Sequence, residues 1–286
     1  MVAILFVALL ALPAGHDGER TRQRVVIDTD GAADDLRAIC LLLSSPAVEV
    51  CAIVTSEGAL VPGEAARKVR ALLRSLDRKE IPVGTGRPTG IAPPPWRAHS
   101  RRVPWGEEDD AGNALGAVEV LEKMTGGVTF VALGALTNLH DLLERCPAAR
   151  PREVVWYNGH AVLHDGANYA ADSSAARRVL ASGVPVEVVS GERHAFPVDD
   201  AFIAALSRVD ASCARLVVSS HRSPALRSLV ASGHTRSWDD LVALRLLAPE
   251  LFTSRPLSPT VMLSALSGED AARRAREIFL HVIDGK

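Results

Sequence analysis

The amino-acid sequence predicts an α/β fold with a mostly parallel central sheet flanked by helices and mainly helical cladding toward the C-terminus. From residue 25 onward, short β-branched runs alternate with longer helical patterns. Most of the short runs are continuously apolar, as expected for strands that are covered on both faces. The order β–α–β–α implies parallel pairing through right-handed crossovers. From Asp199 to the end the pattern is mainly helical.

Each element has its own signal in the sequence. Runs rich in Val and Ile predict strands at 25–28, 48–55, 81–84, 129–133, 154–157 and 184–189. Apolar residues at helical spacing predict helices at 34–44, 62–75, 113–125, 136–145 and 173–182. The longest irregular connection runs from Pro93 to Gly112, and we expect it to form a flap over the active site. In such a sheet the ligand binds beyond the carboxyl ends of the strands.

Composition narrows the class of protein. The chain has 286 residues, 48% apolar and 23% charged, and a formal charge of −2. This composition excludes a mostly disordered chain. Nucleic-acid binding needs a concentrated positive field, and no basic block occurs, so a nucleic-acid partner is disfavoured. We expect residues 22–286 to form a single domain.

The N-terminus resembles an export signal. Residues 2–14 are apolar and too few to span a bilayer comfortably, and the segment from Ala11 to Ala14 resembles a small-residue cleavage site. We therefore predict a signal over residues 1–15 and a periplasmic or secreted protein. The only positive charge in front of the run is the amino terminus. A misassigned start, which would leave the protein cytoplasmic, and a short anchor stay open. No later run is long and apolar enough for a stable membrane span.

The four cysteines are scattered and form neither a CxxC pair nor a cluster with zinc spacing. They are Cys40, Cys51, Cys146 and Cys213. Free, buried thiols are therefore favoured over a disulfide framework.

The strongest chemical signal is an acidic cluster in segment 25–35 (VVIDTDGAADD), where a buried strand turns into a helix. It contains Asp28, Asp30, Asp34 and Asp35. Helix capping explains one or two of these carboxylates but not four. Four carboxylates so close repel one another, and a hard divalent cation with oxygen ligands relieves the repulsion. The segment therefore predicts a metal site.

This segment resembles the DxDPGxDD motif of the inosine-uridine-preferring nucleoside hydrolase family, with Gly31 and Ala32 in place of Pro and Gly. Three later segments strengthen the resemblance. Residues 131–138 (VALGALTN) are similar to the family's GPLTN segment, and residues 238–249 (WDDLVALRLLAP) to its HDPLAVAYLLDP-like helix start. Asn168, Asp172 and Ala175-Ala176 fit its N-x-x-x-D-P-E-A-A stretch. The resemblance implies a Rossmann-like nucleoside hydrolase fold.

The family's calcium site, carried over residue by residue, implies one Ca²⁺ per subunit. Asp30, Asp35 and Asp239 would be carboxylate ligands, and the main-chain carbonyl of Leu133 would be a further ligand. The resemblance also makes Asp30 the general base for the attacking water. Asp28 would orient the loop without touching the metal.

The resemblance further implies a small-molecule nucleoside as substrate and a possible homo-oligomer. Asp34 and Asn168 would bind the 2′- and 3′-hydroxyls of the ribose. Trp238 stands where the family often has a His, and a purine-preferring branch has Trp there, stacking on the base. We therefore expect calcium-dependent hydrolysis of ribonucleosides with a preference for purines. A Trp packed under the helix is the alternative for Trp238, and Thr137 and Asn138 are expected to cap the next helix.

Other departures concern the 5′-hydroxyl. The family's Glu two residues before the Asn falls on Gly166, and its GN pair after the second strand is Gly58-Ala59. The resemblance therefore implies that metal and diol recognition are retained and that 5′ recognition is lost. His160 and His164 are candidates to replace part of this contact, although surface histidines are the favoured interpretation.

Two other functions stay open. A member that kept the metal and lost efficient catalysis would bind sugars or nucleosides without turning them over. A DxDG motif after a first strand also occurs in haloacid-dehalogenase-like phosphatases, which would make Asp28 the nucleophile of a Mg²⁺-dependent phosphatase.

Overall fold

The structure is a computed structural model that describes residues 22–108, 115–124 and 127–285. Its strands are β1 Gln23–Thr29, β2 Val48–Thr55, β3 Val83–Thr85, β4 Leu115–Gly116, β5 Thr129–Ala132, β6 Glu153–Gly159, β7 Val186–Ser190, β8 Phe252–Ser258 and β9 Val261–Leu266. In these residues they form one nine-stranded sheet of order β4-β3-β2-β1-β5-β6-β7-β9-β8. Every neighbouring pair is parallel except β8 and β9, which form an antiparallel hairpin at one edge.

Helices cover both faces of this sheet. They are α1 Ala33–Ser44, α2 Pro62–Ser75, α3 Arg97–Ser100, α4 Ala117–Glu122, α5 Thr137–Arg145, α6 Ala167–Ala171, α7 Ser173–Ala181, α8 Asp200–Leu206, α9 Ser212–His221, α10 Arg227–Ala231, α11 Asp240–Leu247 and α12 Glu269–Val282. The residues of β1 alternate between two cores: Val25 and Ile27 pack into one, and Val26 packs into the other. This two-sided burial explains why the centre of the strand, residues 25–27, is continuously apolar.

The predicted α/β fold is confirmed, and the elements of its N-terminal half lie close to their predicted positions. Strand 48–55 and helix 62–75 match to the residue. The helix predicted at 113–125 is shorter, Ala117–Glu122, and its first two and last predicted residues lie outside the described residues.

The C-terminal part is mainly helical, as expected, with α8 to α12, but residues 252–266 form the hairpin β8–β9, which was not predicted from the sequence. The sequence of β9, VMLSAL, is apolar enough to fit either a buried helix or a strand. Its pairing with β7, more than 70 residues earlier, selects the strand. β8 is exposed beyond Phe252, as expected for an edge strand, and contains Pro256.

Buried basic side chains hold the described part of the predicted flap. Lys68 of α2 donates to the carbonyl of Val103 at 2.6 Å and pairs with Glu108 at 2.9 Å. Arg97 of α3 pairs with Glu57 at 3.3 Å and donates to the carbonyl of Gly58 at 2.8 Å. The flap is therefore fastened to the segment that follows β2. Its residues 109–112 lie outside the described residues.

Three further expectations concern the export signal, membrane spans and the cysteines. The predicted signal, residues 1–15, lies outside the described residues. Among the helices that the structure describes, none has the length and apolar character needed to cross a membrane. All four cysteines are free, and Cys40 and Cys213 are buried.

Candidate active site

A cavity of about 500 Å³ opens beyond the carboxyl ends of β1, β5 and β6. Most of the predicted site residues line it, namely Asp30, Asp34, Leu133, Asn168, Trp238 and Asp239. Asp35 is fully buried, within metal-ligand range of Asp34 and Asp239. The sheet thus brings together residues that are far apart in the sequence, as the position of ligand sites in parallel sheets predicts.

The turn between β1 and α1 is organised around Asp35. One of its oxygens, Oδ2, accepts the backbone N–H groups of Asp30 at 3.0 Å and Gly31 at 3.1 Å, and the Thr29 hydroxyl. Gly31 has a φ of +83°. Proline has φ fixed near −65° and could not adopt this conformation. The turn in this chain therefore requires Gly31 at the position where the family motif has Pro.

Two further glycines allow the chain to approach Asp30 closely. A Cβ on Gly58, after β2, would lie 2.0 Å from Asp30 Oδ2. A Cβ on Gly134, after β5, would lie 3.1 Å from the Asp30 Cβ and 2.6 Å from the Ser56 hydroxyl. The segments that follow β2 and β5, the two strands beside β1, therefore each have a glycine where a side chain would collide with Asp30 or its neighbour Ser56.

Three carboxyl groups meet at the floor of the site. Oxygens of Asp34 and Asp35, in the first turn of α1, and of Asp239, just before α11, all lie within 4.8 Å of one another. Asp35 Oδ1 and Asp239 Oδ1 are buried and have no hydrogen-bond partner in the part of the chain that the structure describes. Burial and the neighbouring carboxylates raise the pKa values of Asp35 and Asp239 well above the ordinary range. Crowded, unsatisfied carboxylate oxygens are what a cation with oxygen ligands would neutralise, so the donor set fits a metal ion.

Asp30 lies beside this trio rather than within it. Its Oδ1 accepts the Ala32 N–H at 3.2 Å. Burial, together with the charge of Asp34, raises the pKa of Asp30 to about 6. The roles of Asp30 as metal ligand and general base stay predictions, whereas Asp34, predicted to bind the ribose, stands in the group that meets at metal-ligand distance.

Asn168 and the Leu133 carbonyl are brought into direct contact. The Asn168 amide nitrogen donates to the carbonyl of Leu133 at 2.7 Å and to that of Tyr157 at 2.9 Å. These bonds fix the side chain between β5 and β6. The amide oxygen is then the part of Asn168 that can accept a hydrogen bond from a sugar hydroxyl.

The expectation that Thr137 and Asn138 cap helix α5 is wrong. The residue before the helix, Leu136, makes no side-chain capping bond. Asn138 instead donates to Asp28 Oδ2 and to the carbonyl of Thr55, both at 3.0 Å. Thr137 donates to Asp172 at 2.9 Å. Asn138 therefore links the ends of β1 and β2, and Thr137 links α5 to the start of α7. Burial raises the pKa of Asp28 to about 8.

The loop after β6 explains the missing Glu. A Cβ on Gly166 would lie 2.2 Å from Asn158 Oδ1, so no side chain fits there. Asn158 itself donates to the Leu163 carbonyl at 2.8 Å and accepts the Tyr169 N–H at 3.0 Å. Both polar atoms of its side chain thus make hydrogen bonds within the loop.

The two histidines of this loop differ in position. His160 lines the cavity and pairs with Glu192 at 2.9 Å. The side chain of His164 is 74% exposed, beside Asp165. His160 is therefore the one of the two that can reach a ligand.

Two tryptophans line the same cavity, and both are unusually exposed for their size. Trp238 is 38% exposed, and Trp96, at the start of the flap helix α3, is 49% exposed. Trp238 is thus not packed under α11, which was the alternative, and its exposure fits a stacking role.

Sequence reasoning missed a buried network around Arg37. Its guanidinium pairs with Asp240 at 2.8 Å, donates to the carbonyl of Arg236 at 2.7 Å and lies 2.8 Å from His221 Nε2. His221 Nδ1 lies 2.8 Å from the carbonyl of Val217. The signal in the sequence was an arginine within an otherwise apolar helix.

Comparison of the sequence with known proteins assigns the chain to a family. The profile described as "Inosine-uridine preferring nucleoside hydrolase" matches residues 25–277. The pyrimidine-specific ribonucleoside hydrolase RihA of Shewanella woodyi is 28% identical over 257 residues, which cover 81% of this chain and 81% of that protein. The non-specific ribonucleoside hydrolase RihC of Shigella boydii is 28% identical over 261 residues, 82% of each chain.

Solved structures share the fold. The purine-preferring ribonucleoside hydrolase from Gardnerella vaginalis superposes with a TM-score of 0.73 and 18% identity, covering 92% of this chain and 98% of that one. The inosine-uridine preferring nucleoside hydrolase from Bacillus anthracis gives a TM-score of 0.71 and 18% identity, covering 92% and 99%. At this identity the likeness concerns the fold alone.

The protonation of His221 tests the Arg37 network. Burial, together with the Arg37 charge, lowers the pKa of His221 to about 3. Below about pH 6.5 the unfolded chain binds a proton that the folded protein does not, so this group's contribution to stability falls as the pH falls, by up to about 1.4 kcal/mol per pH unit. His221→Gln keeps an acceptor for Arg37 and cannot titrate. Between pH 6.5 and 4.5, urea unfolding should show the wild type losing about 1–3 kcal/mol more than the variant.

Val218→Ala, on the same helix α9, is the control, because it removes buried apolar contacts but keeps His221, so it should lower stability without changing the pH slope. Equal slopes for the wild type and His221→Gln would contradict the neutral, buried histidine.

Proposed function

The chain belongs to the inosine-uridine preferring nucleoside hydrolase family, whose members hydrolyse the N-glycosidic bond of nucleosides, and we propose that this enzyme uses one calcium ion per subunit and prefers purine ribosides. The observation that supports the metal is the close approach of Asp35 and Asp239, two of the proposed ligands, beside Asp34. One buried oxygen of Asp35 and one of Asp239 have no hydrogen-bond partner among the described residues. The two exposed tryptophans of the cavity support the base preference.

The side chains divide the work of the reaction. Asp30 accepts the proton of the attacking water, and Asp34 and Asn168 hold the ribose hydroxyls. Calcium, when bound by Asp30, Asp35, Asp239 and the Leu133 carbonyl, would supply the positive charge that polarises the water and the diol. Trp238 stacks on the base that leaves.

The phosphatase alternative loses support in the structure. Asp28 is fully buried, does not line the cavity and is engaged by Asn138, which disfavours it as a phosphatase nucleophile. A member with weakened catalysis differs from the proposed enzyme only in turnover, so a direct assay distinguishes them.

Asp30→Asn tests the catalytic role. The variant keeps the shape of the side chain but cannot take up a proton, and general-base catalysis contributes about 10²–10⁴-fold, so kcat for inosine should fall by about that factor. The wild-type rate should also fall on the acid side, because the Asp30 carboxylate must be ionised to act.

Near-wild-type turnover by Asp30→Asn would show that another group is the base. Measurable turnover by the wild type with inosine, uridine or adenosine separates the enzyme from a binding protein.

Asp239→Ala tests the metal. A ligand that binds only the folded state at 100 times its Kd stabilises that state by about 2.7 kcal/mol, so calcium should raise the Tm of the wild type. The variant should lose both the bound calcium and this rise in Tm, as measured by metal analysis and calorimetry with and without chelator.

Asp199→Ala serves as the control, because Asp199 caps α8 through the Phe202 N–H. It should lower the Tm by removing a helix cap, yet keep the calcium-dependent rise. Unchanged calcium stoichiometry in Asp239→Ala would refute the ligand assignment.

Specificity for the base is tested with Trp238→Ala. Aromatic stacking is worth about 0.5–1.5 kcal/mol beyond area burial, and a purine offers more face than a pyrimidine. The wild type should therefore have a higher kcat/KM for inosine than for uridine, and the variant should reduce that ratio about two- to tenfold. Leu257→Ala, on the exposed edge strand β8, is the control. Uridine preferred by the wild type would refute the stacking argument.

The same assay tests the 5′ end of the sugar. A site that does not hydrogen-bond a hydroxyl cannot strongly reject a substrate that lacks it, and no side chain fits at Gly166. Adenosine and its 5′-deoxy analogue should therefore be hydrolysed with similar kcat/KM values. A large loss with the 5′-deoxy analogue that disappears in His160→Ala would instead assign the contact to His160.

A further inference from the structure

Arg37 connects the two halves of the acidic cluster. It lies in α1, two residues after Asp35, and is 1% exposed. Its Nε approaches both carboxylate oxygens of Asp240 at 3.1 and 3.2 Å, and its Nη2 reaches Asp240 Oδ2 at 2.8 Å. Asp240 is the residue immediately after Asp239. A forked, charge-assisted pair of this kind fixes orientation as well as distance.

Two further bonds hold the same guanidinium. Nη2 also donates to the carbonyl of Arg236 at 2.7 Å, so the segment that leads into Asp239 is gripped at both ends. Nη1 lies 2.8 Å from His221 Nε2. Because His221 Nδ1 donates to the carbonyl of Val217, Nε2 is the bare acceptor of a neutral ring. The side chain is therefore fixed from α9 and from the start of α11.

The electrostatics fit this position. Burial acts to lower the pKa of Arg37, yet the charges of Asp240, Asp34 and Asp239 raise it above its ordinary value. Two of these three acids belong to the trio that meets within 4.8 Å. The guanidinium is thus a counter-charge fixed in place beside a cluster whose members repel one another.

A buried ion pair needs a reason beyond stability, because well-packed apolar residues of similar volume often stabilise as well or better. Asp34 and Asp35 come from one end of the chain and Asp239 from the other, about 200 residues later. Helices α1 and α11 pack directly against each other, so contacts between α1 and the start of α11 bear on the separation of the two halves.

We propose that Arg37 is a positioning residue for the metal site: its bonds to Asp240 and to the Arg236 carbonyl set the separation of Asp34 and Asp35 from Asp239 before a cation binds. This inference rests on the proposed calcium site. A site assembled in advance binds more tightly, because the ion does not have to draw the carboxylates together.

The double variant Arg37→Leu/Asp240→Asn tests the proposal without leaving an unpaired buried charge. Calcium binding is measured by isothermal titration calorimetry, and folding by near-UV circular dichroism and the Tm of the calcium-free protein. The expected result is a folded protein whose Kd for calcium is weakened at least tenfold. Arg37→Lys keeps the charge but not the planar fork, so it should weaken calcium binding several-fold. This variant tests the positioning role if the double variant does not fold.

The matched control is another ion pair on the same helix. Arg245 lies in the last turn of α11 and pairs with Glu187 of β7 at 2.6 Å. Arg245→Leu/Glu187→Gln should leave the calcium affinity at the wild-type value. This control separates a general weakening of α11 from the loss of the Arg37 fork.

The outcomes are distinct. Wild-type calcium affinity in the double variant, or in Arg37→Lys where the double variant does not fold, would overturn the positioning role and leave the calcium site standing. A wild-type protein that binds no calcium would overturn the calcium site and the positioning role together. Equal weakening in the control pair would show that any damage to α11 suffices, and would overturn the assignment to Arg37.

Discussion

The meeting of carboxyl groups beyond β1 is the constraint on which the rest of the site depends. Three acids from opposite ends of the chain lie within 4.8 Å of one another in a largely buried position. Folding tolerates this repulsion only where other groups offset it. The turn after β1 satisfies one oxygen of Asp35 with two backbone N–H groups and leaves the other unpartnered. The fold thus satisfies one oxygen of the Asp35 carboxylate, and the other is available to a ligand.

Two buried arginines near the cluster form ion pairs with neighbouring acidic residues. Arg37 pairs with Asp240 on one side, and Arg97 of the flap pairs with Glu57 and binds the carbonyl of Gly58 on the other. Gly58 must be a glycine because Asp30 occupies the space of its Cβ. The flap and the acidic floor are therefore linked by one continuous set of contacts rather than being independent parts.

The local parts of this arrangement could be predicted from the sequence, and the distant pairings could not. The strand, turn and helix around Asp30 and Asp35 follow from apolar runs and a dense acidic motif. Asp239 came only from the family resemblance, since nothing near it marks a metal ligand. Asn138 was mistaken for a helix cap because its partner, Asp28, is 110 residues away.

Arg37 and the edge hairpin were missed for the same physical reason. The partner of Arg37 is 203 residues distant, and a charged residue inside an apolar helix reveals only that a partner must exist. In β9, an apolar segment of six residues fits a helix or a strand until its pairing with β7 is known. Local propensity constrains backbone conformation, whereas the choice of partner is a property of the folded chain.

Chemistry and recognition occupy different parts of the molecule. Asp30, Asp34, Asp35 and the Leu133 carbonyl lie directly beyond the ends of the central strands β1 and β5, which are buried on both faces. Trp96, Trp238 and the loop around Gly166 lie on connections, which tolerate replacement. A change of base or of 5′ contact can then occur without disturbing the acidic cluster. Relatives named as pyrimidine-specific and non-specific are similar in sequence to this chain, and a structure named as purine-preferring shares its fold, as such a separation allows.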